Sequence, residues 1–373
     1  GHSVLLALPI RRADDQSAPV VLGGVRLRLA GRGPRVPGLA HLWQVVLLSW
    51  FCLRWRPAAI YCFKPIAHSG AVLALFWSMR RRGLFRGVLV LDADEWEGDG
   101  GWNELQPFPG WLKRLISWQE RWALSHADLV TVASRALVEL AGAAGAERLL
   151  YLPNAVAPAS PGLAEPGERN LRARLGLEGR PVVLLYTRFF EFGLDRLLDS
   201  FQGILREADG AALLVVGSGL HGEETEFLRL ARSRGVADRV VLAGWVPAED
   251  LPSYFHAVDV ALYPLDDTLL NRAKCPVKLL DLLAAGVPVV ADRVGQAAEY
   301  VVNGRNGLLV APGDARAMAE AAVSLLRDPV RREAMGRSAR LDARTRWSWD
   351  LWAPRVEKAL GELLADERSR PRP

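Results

Sequence analysis

Apolar residues in this chain fall into two alternating kinds of run. Short blocks rich in Val, Leu and Ala lie at residues 4–8, 58–62, 88–91, 129–132 and 149–151, and again at 181–187, 211–216, 240–243, 258–263, 288–291 and 307–310. Apolar blocks of that length predict strands covered on both faces, as in a parallel sheet. Between the blocks, apolar positions recur at helical spacing. Over 193–208, Leu194, Leu197, Leu198, Phe201 and Leu205 share one face, and further helices are predicted at 222–234, 249–256, 295–302, 315–327 and 351–366. Strand alternating with helix at this spacing gives right-handed βαβ units, so the class is α/β with open parallel sheets. In such sheets a ligand sits beyond the carboxyl ends of the strands.

The densest signal is the stretch from Lys274 to Ala291, which reads as a loop, a short helix, a tight turn and a buried strand. Pro276 suits a first helical turn, where its missing N–H costs nothing. Leu279, Leu280, Leu282 and Leu283 mark the buried face, and Gly286 marks the stop. Lys274 and Lys278 lie at or just before the helix start, where backbone N–H groups favour an anion. Asp281 follows about one turn later. A diphosphate beside a sugar hydroxyl suits such a set, and a charged helix start with no ligand is the plain alternative.

Composition bounds the rest. A chain of 373 residues, half of them hydrophobic, can form two cores. The segment 155–170, rich in Pro, Gly and Ala, reads as a linker. The expected organisation is a first domain over 1–158 and a second over 171–346. A terminal segment, 347–373, carries a helix expected to pack back across both and ends in a frayed tail. Cys52, Cys62 and Cys275 are odd in number and form no ligand cluster, which fits a reducing, cytoplasmic setting. The apolar run 42–53 is broken by Gln44 and Ser49 and is too short to span a membrane. The chain opens on Gly-His-Ser with no signal-peptide pattern, which suggests a start inside a longer protein or after a cleaved tag.

Charge is uneven. Residues 1–90 carry thirteen Lys and Arg against only Asp14 and Asp15, in a chain of net charge +5. Trp43, Trp50, Trp55 and Trp77 are interleaved with these cations. Arg and Trp beside apolar runs point to an anionic membrane surface or a phosphorylated acceptor, with a peripheral place on the inner face of the membrane. A solvated basic rim is the alternative. No helix-turn-helix, zinc or RNA-binding signature accompanies the charge, which sets nucleic acid aside.

Six segments in order give the chain a family resemblance. Asp128-Leu129-Val130-Thr131-Val132-Ala133-Ser134 looks like a strand before a serine-bearing turn. Tyr151-Leu152-Pro153-Asn154-Ala155-Val156 resembles a Pro-Asn-Gly-Val domain end, with Ala155 in place of Gly. Val215-Val216-Gly217-Ser218-Gly219, Val241-Leu242-Ala243-Gly244-Trp245-Val246 and Val258-Asp259-Val260-Ala261-Leu262-Tyr263-Pro264 follow, and then the Lys274 motif. Together they resemble the retaining glycosyltransferases of family 4. That resemblance implies the GT-B fold, two facing Rossmann-like domains with a cleft between them. It also implies sugar transfer from a nucleotide-sugar, most naturally a UDP- or GDP-sugar, to an acceptor hydroxyl, with no metal or other cofactor.

The resemblance assigns roles by position. Arg188 matches the arginine that holds the donor diphosphate, a task suited to a guanidinium that stays charged at any working pH. Gly217 and Gly219 match a donor-side strand end, and Trp245 and Val246 lie where the base is seated. Pro276, Val277, Lys278 and Leu279 would face the diphosphate, and Asp281 lies where a glutamate usually accepts the ribose hydroxyls. Three departures stand out. The family's two acidic residues are separated by seven others, and the position matching the first is Ala273. The lysine a few residues after the diphosphate arginine has no match, since Phe192 and Gly193 stand there, so Lys274 or Lys278 is expected to supply the charge. Finally, a strand, a glycine-rich loop and a helix normally precede a Gly-His-x-Val segment, which here is Gly1-His2-Ser3-Val4. On that ground the first strand and loop look to be missing.

On the acceptor side, Val88-Leu89-Val90-Leu91-Asp92-Ala93-Asp94-Glu95-Trp96-Glu97 puts four carboxylates at a strand end. Asp94 or Glu95 is expected to orient the acceptor hydroxyl or take its proton, and a solvated acidic loop is the alternative. Many family members have a histidine near this point, so no histidine role transfers. The Asp92-x-Asp94 spacing resembles the metal motif of the GT-A fold, but the second half continues as a nucleotide-binding domain. Lys64 and His68, with Asp92 and Asp94, complete the acceptor candidates. A lipid-linked or cell-envelope glycan is the expected acceptor. Two other readings compete: a nucleotide-sugar epimerase on the same fold, which needs no acceptor, and a non-catalytic nucleotide-sugar or glycolipid-binding module. A nicotinamide dehydrogenase is disfavoured, because Gly217-Ser218-Gly219 lacks the third glycine of that fingerprint.

Overall fold

The apolar blocks of the sequence become the strands of parallel sheets in a computed structural model of the protein, described for residues 3–9, 21–22, 25–30, 34 and 36–369. Gly1, His2 and the cations Arg11, Arg12, Arg32 and Arg35 lie outside the described residues. The chain divides into two units. One comprises Gly1–Ala133, Leu137–Tyr151 and Val356–Pro373, and the other Ser134–Ala136 and Leu152–Arg355.

The first unit opens with β1 (Leu5–Pro9), β2 (Val21–Leu22) and β3 (Val25–Ala30), a small sheet in which β3 pairs parallel with β1 and antiparallel with β2. Then come α1 (Pro37–Trp55), β4 (Ala59–Phe63), α2 (Ala67–Arg81), β5 (Val88–Ala93), α3 (Gly110–His126), β6 (Leu129–Val132), α4 (Arg135–Ala143) and β7 (Leu149–Tyr151). Strands β4-β5-β6-β7 form a parallel sheet in that order. Val88, Leu89, Val90 and Leu91 of β5 are buried, as the unbroken apolar block predicts for a central strand.

The second unit holds α5 (Leu171–Arg174), β8 (Val182–Tyr186), α6 (Leu194–Glu207), β9 (Ala212–Val216), α7 (Glu223–Ser233), β10 (Val240–Gly244), α8 (Leu251–His256) and β11 (Val260–Tyr263). It continues with α9 (Leu269–Ala273), α10 (Val277–Ala285), β12 (Val289–Asp292), α11 (Ala297–Tyr300), β13 (Leu308–Val310), α12 (Ala315–Arg327), α13 (Pro329–Arg346) and the start of α14 (Trp349–Ser369). Its six strands are all parallel in the order β10-β9-β8-β11-β12-β13. The order reverses between β8 and β11, and a doubly wound sheet binds its ligand at such a switch point. On one face of the sheet Leu197, Leu198, Phe201 and Ile204 of α6 pack with Val183, Leu185 and Val215.

Two helices depart from the pattern. Helix α13 has no apolar stripe: Asp328 caps it, Pro329 opens it, and its buried residues are Met335, Gly336, Ala339, Asp342 and Ala343. A Cβ on Gly336 would stand 2.3 Å from the Gly286 carbonyl, so the helix docks through small residues that carry little hydrophobic signal. Helix α14 is longer than predicted. Its residue Leu363 packs with Val88, Val90 and Leu129 of the first unit.

Candidate functional site

The chemistry of the second unit gathers at the carboxyl ends of β8 and β11. After β8, Phe189 turns to φ +68° and its side chain is buried. A left-handed aromatic residue is strained, and such strain clusters at sites. The Phe189 N–H donates to Thr187 Oγ1 at 2.8 Å, which fixes the kink. The kink leaves Arg188 exposed, with no hydrogen bond or ion pair among the described residues. It also turns Glu191 inward, where it is 5% exposed.

Glu191 was not anticipated from sequence. Its Oε1 accepts from Lys274 Nζ at 2.7 Å, and its Oε2 accepts from Thr187 Oγ1 at 3.3 Å. Its backbone carbonyl accepts from Asn271 Nδ2 at 2.7 Å and from the Asp266 N–H at 2.9 Å. Burial alone would raise this carboxyl, but Lys274 and Lys278 outweigh it and hold the group below its ordinary value. The only warning in the sequence is one acid inside the aromatic run Phe189-Phe190-Glu191-Phe192. Lys274 also lies over the Phe190 ring, 4.4 Å from its centre.

Helix α10 forms as its spacing predicts. Pro276 sits at the N-cap, Leu279, Leu280, Leu282 and Leu283 are buried, and Gly286 closes the helix at φ +74°. The first-turn amides of Val277, Lys278 and Leu279 have no intrahelical carbonyl to bond. Val277 is exposed. The Lys278 ammonium is buried without a hydrogen-bond partner, 5.1 Å from the centre of the Tyr186 ring. Burial pulls this amine down to about 7. Lys274 and Arg188 push the same way, and Glu191 partly offsets them. One turn on, Asp281 is 6% exposed, and burial pushes its carboxyl up to about 7. It has no hydrogen-bond partner among the described residues. Two buried ionisable groups of opposite sign, neither hydrogen-bonded, thus stand one turn apart on a single helix.

The other donor candidates divide by task. After β10, Trp245 is 72% exposed while Val246 is buried. The Gly217 amide bonds the Gly244 carbonyl at 2.7 Å, and a Cβ there would stand 2.0 Å from the Thr187 carbonyl. The Gly219 amide bonds Glu224 Oε1 at 2.8 Å. Gly217 thus packs against the ends of β8 and β10, and Gly219 lies beside the carboxylates of Glu223 and Glu224. Ala273 is fully buried, and its carbonyl accepts from Ser134 Oγ at 2.7 Å.

In the first unit, Lys64 at φ +68° and Ala67 at φ +53° kink the loop between β4 and α2. The Gln119 side chain clamps Ala67 by bonding both its N–H and its carbonyl at 2.9 Å. Lys64 Nζ reaches Glu97 at 2.7 Å, Glu95 at 3.0 Å and Asp94 at 3.9 Å. Burial would lower this lysine, but the three carboxylates outweigh it and keep it charged. Burial raises the Asp94 carboxyl, with Lys64 opposing. The structure thus brings Lys64, Asp94 and Glu95 together. Asp92 turns elsewhere, accepting from Thr131 Oγ1 and from Tyr61 Oη at 3.3 Å, and burial lifts it to about 6. His68, second in α2, stacks on His41 with ring centres 6.2 Å apart. Beneath the loop, Glu120 accepts from the amides of Glu97 and Gly98 at 2.8 Å each, and burial raises it to about 7.

Comparison with known proteins identifies the family. The family described as Glycosyl transferases group 1 matches residues 180–328, and the Glycosyl transferase 4-like domain matches residues 1–155. The chain is 32% identical over 306 residues to the GDP-mannose-dependent alpha-(1-6)-phosphatidylinositol monomannoside mannosyltransferase of Mycolicibacterium smegmatis, covering 80% of this chain and 75% of that one. It is 34% identical over 262 residues to the Mycobacterium tuberculosis protein of the same description, covering 69% and 65%. Among solved structures, sucrose-phosphate synthase from Thermosynechococcus elongatus superposes with a TM-score of 0.72 over 96% of this chain and 89% of that one, at 22% identity. That likeness speaks for the GT-B fold alone. With two matched domains and a relative aligned along most of both chains, the protein belongs to the group 1 glycosyltransferases of family 4, enzymes that take their sugar from a nucleotide-sugar donor.

Proposed function

We propose that the protein transfers mannose from GDP-mannose to a hydroxyl of a lipid-linked glycan, with retention at the anomeric carbon. The alignment with GDP-mannose-dependent mannosyltransferases over most of the chain carries this reading. The cation set around α10 supports it. Arg188, Lys278 and the first-turn amides of α10 stabilise the charge that develops on the leaving diphosphate, the electrostatic contribution that usually dominates in such a step. Lys274 adds to the field from its pair with Glu191. Asp281 accepts the ribose hydroxyls, and Trp245 and Val246 seat the base. The leaving phosphate takes the acceptor proton.

Lys64, Asp94 and Glu95, with Glu97, serve the acceptor in this reading. A charged lysine fenced by carboxylates offers donors and acceptors to a polyol at once. Asp92 and His68 flank that loop, near the end of β5 and the start of α2. The first unit also carries apolar surface suited to a lipid. Leu39, Leu42, Trp43, Val46, Trp50 and Leu53 are exposed along one face of α1, with Arg54 and Arg56 at its end. On α3, Trp111, Leu115 and Trp118 are exposed beside Arg114 and Arg121. No helix among the described residues is long and apolar enough to cross a membrane. These faces support docking on an anionic bilayer instead.

The experiment is to incubate the protein with GDP-mannose, UDP-glucose or ADP-glucose and a phosphatidylinositol mannoside, and to read the lipid products by mass spectrometry and anomeric NMR. Addition of one α-linked mannose from GDP-mannose alone is expected. Turnover with a UDP- or ADP-sugar only would overturn the donor assignment. Interconversion of donors without an acceptor would point to the epimerase.

A further inference from the structure

The two lysines beside α10 share one carboxylate. Lys274 Nζ sits 2.7 Å from Glu191 and over the Phe190 ring, whereas Lys278 Nζ is buried against Tyr186 with no hydrogen bond. A lone buried ammonium is costly, and proteins commonly relieve the cost by releasing the proton. The charged groups acting on Lys278 are Glu191 and Arg188 from the loop after β8 and Lys274 from the turn before α10. Tyr186 faces it from β8, and none from α8, α11 or α13, which also pack near α10, acts on it among the described residues. Asp281 follows it on its own helix. Two cations beside it and one carboxylate already engaged leave Lys278 short of negative charge.

We propose that Glu191 is a positioning residue of the donor site: it holds Lys274 in a closed pair and tunes the buried amine of Lys278, which takes up a proton from solvent when the donor diphosphate arrives. This rests on the donor-site reading above. The diphosphate supplies the missing counter-charge, so the bound amine holds a proton that the free one has partly lost at neutral pH. A nucleotide-sugar has no diphosphate proton of its own to exchange in this range. Lys278 thus stands in for the family lysine whose position Phe192 occupies, and Glu191 keeps it within reach of protonation.

The test is calorimetric binding of GDP-mannose, with UDP-glucose alongside, between about pH 6 and about pH 9 in buffers of different ionisation enthalpy. In the wild type, affinity is expected to fall by up to about tenfold per pH unit above neutrality, with proton uptake on binding near about pH 8. Asp281 acts in the opposite sense on the acid side, because its ionisation strengthens binding, so it does not imitate this fall. In Lys278→Arg the alkaline fall and the uptake both disappear, since a guanidinium stays charged. In Glu191→Gln the fall begins at lower pH by roughly one unit, because a stabilising counter-charge is gone. Glu191→Asp falls between the two. An alkaline fall that persists in Lys278→Arg, or that stays in place in a folded Glu191→Gln, overturns the proposal. If Glu191→Gln does not fold, the shift in Glu191→Asp decides the role of Glu191 and the Lys278→Arg profile that of Lys278. Failure of the wild type to bind either donor at any pH would overturn the donor-site reading, and the inference with it.

Discussion

Replacing Asp281 by Asn should make the protein more stable and a poorer binder of nucleotide. The carboxyl is 6% exposed, and burial moves it from 3.8 to about 7. Between those values the folded chain keeps a proton that the unfolded chain has lost, so wild-type stability falls as pH rises through the window. Below the window nothing is lost, and above it the full effect applies. The gap corresponds to about 4 kcal/mol. Asn does not titrate, so its advantage over the wild type should grow by that amount across the window. A buried amide without a partner sets this back by about 1–2 kcal/mol at every pH. The net gain above neutrality is then about 2–3 kcal/mol, or roughly 5–10 °C in Tm for a domain of this size. Denaturant titrations of both proteins at about pH 5 and about pH 8 read the divergence directly. The same substitution removes charged acceptors from the proposed ribose site and should weaken GDP binding by about 10- to 100-fold. Parallel stability curves with unchanged GDP affinity would refute the reasoning and make Asp281 an ordinary surface-coupled acid.

Two further outcomes follow from the same structure. Arg188→Ala should weaken nucleotide binding by about 10- to 100-fold, the worth of hydrogen bonds to a charged group, and leave the melting temperature nearly unchanged because the side chain is exposed and unpaired; binding calorimetry beside a thermal melt separates these. Trp43→Glu with Trp50→Glu should abolish co-sedimentation with anionic liposomes while sparing turnover of a water-soluble acceptor, and wild-type co-sedimentation should weaken with salt.

The legible parts of the fold are those where burial writes itself into composition. Blocks such as 88–91 and 211–216 had to be strands because both faces of a central strand are covered. The α10 motif was legible for a second reason, since proline, lysines, leucine face and glycine stop all agree within a dozen residues. Helix α13 was not, because its contact with the Gly286 turn runs through Gly336 and its buried face is mostly alanine and glycine. Nor was Glu191, which faces the lysines only after Phe189 adopts its left-handed turn, a feature no periodicity carries. The direction of Asp92 was hidden too. Its partners Tyr61 and Thr131 come from neighbouring strands, 31 and 39 residues away, and only the sheet register sets them beside it. The acid run at 92–97 was visible as a run, but which members turn toward Lys64 was decided by the loop.

The donor is proposed to bind at the carboxyl ends of β8 and β11, on the cations around α10. A crystal structure of the protein with GDP tests it most directly. The diphosphate is expected against Arg188, Lys278 and the first turn of α10, with the ribose hydroxyls on Asp281. A nucleotide seated elsewhere, for instance on the Gly217–Gly219 loop with Asp281 untouched, would contradict it.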